Sequence, residues 1–126
     1  MTMITPGRAN IVISSTPKRI LDTRSPSNPF AESQIRSYTV AGVGGIPGNA
    51  KTAILKVTAV DPTAGGFITV WPNTPGAPPN VSNLNFVTGM TIPNLVITQI
   101  GTAGQINIYN AFGTTHVLID VLGYAD

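Results

Sequence analysis

Glycine and proline punctuate this chain so densely, at 13 and 11 of its 126 residues, that no window of 11 or more residues repeats apolar positions at i, i+3, i+4 and i+7 without a break. An amphipathic helix is thereby denied any stretch in which to form. What remains are short apolar segments that alternate, and alternation is the period of a strand. Segment 52–61 (TAILKVTAVD) sets Ala53, Leu55, Val57 and Ala59 on one face and Ile54, Lys56, Thr58 and Val60 on the other. With one charge on the second face, it reads as a central strand covered on both sides or nearly so. Residues 66–71 (GFITVW) follow after Pro62-Thr63-Ala64-Gly65, turn chemistry that predicts a hairpin between the two segments. Residues 81–86 alternate Ser82, Leu84 and Phe86 against Val81, Asn83 and Asn85.

Strands are also expected at 94–100, 105–111 and 115–124, and upstream at 10–14, 19–23 and 35–41. About nine short strands separated by turn signals, with no substantial helix, predict an all-β antiparallel sandwich of jelly-roll type. The proline-bearing stretches 25–31 and 73–80 read as loops, the second long enough to shape a surface. Residues 10–126 are then one domain, since a second core would have almost nothing to bury.

Composition removes several classes of function. Only 7 basic and 5 acidic residues accompany a hydrophobic fraction of 42%, which opposes disorder. No basic stripe with interleaved aromatics is present, so nucleic acid is not an expected partner. The absence of cysteine excludes disulfides, thiolate zinc sites and Cys nucleophiles. A single histidine with no HxH or HExxH spacing removes a catalytic zinc, and neither a metal nor a cofactor is expected. No serine sits in a Gly-x-Ser-x-Gly frame, which excludes an α/β-type serine hydrolase. No apolar run approaches the roughly 20 residues of a membrane helix.

The opening Met1-Thr2-Met3-Ile4-Thr5 resembles the leader of the β-galactosidase α-fragment carried by cloning vectors, so residues 1–9 are expected to be a vector-derived leader and linker. Such a leader accompanies reading frames from environmental DNA that are picked by activity, which is the main support for an enzyme. Further along, Pro17-Lys18-Arg19-Ile20-Leu21-Asp22-Thr23-Arg24, Val40-Ala41-Gly42, Ile46-Pro47, 53–66 (AILKVTAVDPTAGG), Ser82-Asn83-Leu84-Asn85, Asn94-Leu95-Val96 and 116–124 (HVLIDVLGY) follow one another in a recognisable order. Together they resemble a module of secreted and cell-surface proteins of actinobacteria and related soil bacteria. The family pattern is roughly P-x-R-L-L-D-T-R, then L-N-V-T-x-V-x-P-T, S-N-L-N and H-x-I-V-D-V-x-G-Y. That resemblance implies an extracellular or cell-surface setting, often beside hydrolases, and no agreed activity. Lys56 departs from it, standing where the pattern has Asn.

Three residues are candidates for catalysis. His116 is the only histidine, hence the only unperturbed side chain titrating near neutrality. Asp120 shares its strand face at i+4, but roughly 13 Å away, so a partner must come from another strand or a loop. Lys56, in so apolar a strand, is a candidate nucleophile if buried, or a snorkelling surface lysine. Asp22 and Arg24 in LDTR share a face and would orient a hydroxyl-bearing ligand, or form an ion pair that fixes the strand. Asp22, Asp61 and Asp120 are the acids from which a glycoside-cleaving pair would be drawn. Asp120 itself, between apolar neighbours, calls for Arg19 or Arg24 as a donor.

Binding is expected on aromatics and amides. Trp71, Tyr109, Phe112 and Tyr124 are candidate stacking surfaces, and Asn83, Asn85, Asn94, Asn107 and Asn110 supply paired donors and acceptors. The ligand-binding set is Trp71, Asn83, Asn85, Tyr109 and Arg24. The reading is a module that binds a polysaccharide or a protein partner. A small metal-independent hydrolase of esters or phosphoesters is the alternative, and a homo-oligomer the third class. His116 or Lys56 in a concave pocket with a partner near 3 Å would favour the enzyme; polar residues on a grooved face beside an exposed Trp71 would favour binding.

Overall fold

In a computed structural model, which describes residues 10–126, the chain forms eight strands. The expected leader at 1–9 lies outside the described residues. The strands are β1 (Ile11–Asp22), β2 (Gln34–Thr39), β3 (Thr52–Val60), β4 (Gly66–Pro72), β5 (Leu84–Phe86), β6 (Ile92–Gln99), β7 (Gln105–Asn110) and β8 (His116–Ala125). The only helical element among them is one 3-10 turn, Thr102–Gly104. The segments expected at 10–14 and 19–23 are joined in β1, whose pairing with β8 breaks register between Ile13 and Lys18 around Pro17. Proline cannot donate to a ladder and belongs on such an edge.

The strands form two four-stranded antiparallel sheets, ordered β1-β8-β3-β6 and β2-β7-β4-β5. Of the consecutive strands only β4 and β5 pair with each other; every other connection crosses between the sheets. This is the winding of a jelly roll. It also corrects the expected hairpin between β3 and β4. β3 pairs with β8 and β6, while β4 pairs with β7 and β5. The connector starts at Asp61 in the left-handed region (φ 53) and bonds outward: Thr63 N–H donates to the Thr114 carbonyl at 2.9 Å, and Gly89 N–H to Pro62 at 2.8 Å. It is a corner between layers, and its turn residues serve a corner as well as a hairpin.

The core lies between the layers. Ala53, Leu55, Val57 and Ala59, the face set by alternation, are completely buried. They meet Val117, Ile119 and Val121 of β8 within their own sheet, and Ile68, Val70, Ile106 and Ile108 from the other. Burying each Val, Leu or Ile contributes about 1.5–3 kcal/mol.

Candidate functional site

The outward faces of the sheets follow from the same alternation. On β4, Ile68 and Val70 point into the core, so Phe67, Thr69 and Trp71 point out. On β7, Asn107 and Tyr109 point out, opposite Ser37 and Ile35 of β2. The loop 73–83 then folds back over part of this face. The Thr69 hydroxyl donates to the Val81 carbonyl at 2.6 Å, and Asn83 Oδ1 accepts the Val70 N–H at 2.7 Å. A groove of about 410 Å³ is left between loop and sheet, with Phe67, Tyr109 and Ile35 as its floor and Pro78, Pro79 and Asn80 as its wall. Ser33 completes the lining.

Two aromatic rings, Phe67 and Tyr109, line the groove, and Phe112 packs against Phe67 beside it. The Phe67 ring stands 6.3 Å from Tyr109 and 6.2 Å from Phe112, with interplanar angles of 61° and 80°. These are edge-to-face contacts, and Phe67 and Tyr109 are themselves partly buried. Phe112, on the β7–β8 connection, is 53% exposed. Asn85 of β5 is the register partner of Phe67 and shares its face. Among the described residues, no hydrogen bond engages the Asn85 amide or the Tyr109 hydroxyl.

Of the expected ligand-binding residues, Tyr109 lines this groove and Asn85 stands across the ladder from its floor residue Phe67, while the other three do not line it. Trp71 is a correction: although it faces outward, it is only 7% exposed, because the returning loop is rooted beside it. Asn83 uses its side-chain oxygen on Val70, while its carbonyl accepts from the Asn94 amide at 2.6 Å. Asn107 accepts from Ser37 at 2.7 Å, and Asn110 donates to the carbonyls of Ala31 and Gly113. Four of the five amides are therefore ties between segments. Phe67 was not among the expected site residues; its signal was the β4 alternation, which sets it on the same face as Trp71.

Arg24 lies elsewhere, bound to Asp22 through Nε at 3.0 Å and a terminal nitrogen at 2.9 Å. The Arg24 side-chain bonds, with its backbone N–H at 3.0 Å, hold the Asp22 carboxyl down at about 2. A folded-state value below the unfolded one, about 3.9, means that this contribution to stability is complete above pH 4 and drains away as pH falls through about 2. In NMR titration the Asp22 carboxyl carbon is expected to shift with a midpoint near 2, and Arg24→Ala to move that midpoint back toward the ordinary carboxylate range. An unchanged midpoint in the variant would remove Arg24 as the cause.

The catalytic candidates do not assemble. His116 has its polar partner, since Nδ1 lies 2.9 Å from the Thr23 hydroxyl. That hydroxyl also accepts the Val117 N–H at 3.0 Å, so it is engaged with both the ring and the β8 backbone. Thr23 is 4% exposed, so the pair closes the β1 end against β8 and presents no reachable nucleophile. The Lys56 side chain is 46% exposed, with Nζ 4.0 Å from Asp120; the burial that a nucleophilic amine requires is missing. Asp120 receives Arg19 Nε at 3.0 Å, a bond that raises the guanidinium's own pKa. Asp22 also faces Arg19, at 4.0 Å, so a cation separates these two acids.

A second depression, of about 460 Å³, lies where Gly48, Asn49 and Lys51 meet Gln99, Ile100 and Gly101. It contains no aromatic side chain and does not touch the catalytic candidates. On the outer face of the first sheet Ile13, Ile54 and Ile97 form an apolar row in register, the two end residues exposed. Among the described residues no three His, Asp or Glu side chains converge as metal ligands, and no helix is long and apolar enough to cross a membrane. The chain matches no known protein-family model and no curated protein.

Proposed function

We propose that this chain is a binding module, extracellular or at the cell surface, that takes a carbohydrate polymer in the groove between the loop 73–83 and the outer face of the second sheet. The observation that carries this reading is the group of packed aromatic rings Phe67, Tyr109 and Phe112, partly or largely exposed, beside an unengaged amide at Asn85. Sugar rings have apolar C–H faces that stack on aromatics, and hydroxyls that both donate and accept, as an amide does. The motif order from 17 to 124, with its resemblance to modules of exported bacterial proteins, supports the same setting. The hydrolase alternative loses its footing with a buried Thr23, an exposed Lys56 and an intervening Arg19.

Affinity electrophoresis against soluble polysaccharides tests the reading. Wild-type protein is expected to be retarded, and Tyr109→Ala to lose at least tenfold in affinity, about 1.4 kcal/mol, at an unchanged melting temperature. Retardation that is identical in the variant would move the site away from the groove.

A further inference from the structure

Resting on that reading, we infer that the groove selects an uncharged glycan in the form of a single chain, and discriminates against acidic polysaccharides and flat crystalline faces. Charge is the first argument. The floor, the wall and the flanking Asn85 and Phe112 contain no carboxylate, amine or guanidinium. The bases of the described chain are held elsewhere. Arg19 and Lys56 face Asp120, and Arg24 binds Asp22. Arg36 donates to the carbonyls of Asn28 and Pro29 and lies 4.2 Å over the Phe30 ring. Lys51 lines the other depression, and Lys18 sits on β1 in the opposite sheet. One charge beside the groove is negative: Glu32 adjoins Ser33, and its carboxylate accepts the Gly113 N–H at 2.9 Å, next to Phe112. A uronate or sulfate ester entering here would lose hydration with no countercharge to replace it, and would meet an acid at the rim.

Shape is the second argument. A flat crystalline face is gripped by rings that share one plane, and these rings do not: Tyr109 and Phe112 lie at 61° and 80° to Phe67. Pro78 and Pro79 rise beside them as a stiff wall, because proline fixes its backbone angle. A wall with rings turned edge to face accepts a chain whose successive sugar units are turned relative to one another, and excludes a slab. The polar groups of the lining suit hydroxyls: the amide of Asn80 and the hydroxyls of Ser33 and Tyr109, with the Asn85 amide beside Phe67.

The test is a binding panel run on the whole chain. Soluble neutral glycans (mixed-linkage β-glucan, xylan, glucomannan) are compared by calorimetry with polygalacturonate and alginate, by pull-down with microcrystalline cellulose and chitin, and with a proline-rich peptide, the other occupant of aromatic-walled grooves. At least one neutral soluble glycan is expected to bind, with an affinity that changes less than twofold between about 50 and 500 mM salt and falls tenfold or more in Tyr109→Ala. The exposed substitution Asn85→Ala, which leaves the core untouched, is expected to weaken it at least threefold. Acidic polymer, crystalline powder or peptide bound as tightly, and lost in Tyr109→Ala, overturns this selectivity while the groove remains the site. No binding by any member overturns the groove reading itself, and the selectivity with it.

Discussion

Phe30→Ala is expected to destabilise the domain by about 3–5 kcal/mol, the usual cost of emptying a buried aromatic site. Phe30 belongs to neither sheet. It sits in the proline-bearing connection between β1 and β2, yet is completely buried and joins the core. Two backbone bonds with Thr115, at 2.9 and 3.2 Å, fix its backbone. Its ring lies 6.3 Å from Tyr38, and the Arg36 guanidinium caps it at 4.2 Å. Removal would leave a cavity at the end of the sandwich and an arginine deprived of its aromatic surface, a contact worth about 0.5–1 kcal/mol at such a partly exposed position. Since single domains are stable by about 5–15 kcal/mol, the loss is a large fraction of the total. Urea denaturation measures it as a lower midpoint at unchanged slope. Phe30→Leu, which keeps most of the volume, is expected to lose less than half as much. A shift under 1 kcal/mol in Phe30→Ala would mean that the loop does not help close the core.

The inner face of β3 was legible because alternation is a local property, and Ala53, Leu55, Val57 and Ala59 needed no knowledge of their partners. The partner of β3 was not legible. Pro62-Thr63-Ala64-Gly65 turns the chain equally well within a sheet or across to the other one, and the choice is made by β8, which arrives more than fifty residues later to take one edge of β3. Phe30 was hidden for a similar reason. Prolines mark a loop correctly, but composition does not reveal which loop residue plugs the core. At the site, Tyr109 and Trp71 look alike in sequence, both aromatic and both outward-facing. What separates them is the path of the loop 73–83, set by the bonds from Thr69 to Val81 and from Asn83 to Val70. The amides show the same limit. Five candidates of one type divide into four ties and one unengaged group, according to which neighbouring carbonyls and hydroxyls long-range packing brings near.

Among those ties, Asn110 is expected to have the second large effect. It is completely buried at the end of β7, and its amide nitrogen donates to Ala31 at 3.2 Å and Gly113 at 2.8 Å. One side chain thus fastens the β1–β2 connection to the β7–β8 connection. Asn110→Ala leaves two carbonyls without that donor, each costing about 1–3 kcal/mol if it stays dry, so a loss of about 2–4 kcal/mol is expected. Asn110→Asp should be worse still. It replaces the donor by an acceptor, placing an anion beside two carbonyl oxygens, and the Oδ1 atom already has no hydrogen-bond partner among the described residues. The ordering alanine then aspartate, by denaturation near neutral pH, separates loss of the donor from simple loss of volume, which would rank aspartate as the milder change. The tied connections also carry Ser33, Glu32 and Phe112, so the tie sets the rim of the groove as well as the stability of the fold. Hydrogen exchange at the Gly113 and Gln34 amides should therefore accelerate in Asn110→Ala well below the unfolding midpoint, since these bond to Glu32 and Ala31. Glycan affinity should fall with it, although Asn110 itself never reaches the groove. Faster exchange with unchanged affinity would show that the floor, Phe67 and Tyr109, holds the ligand without the rim.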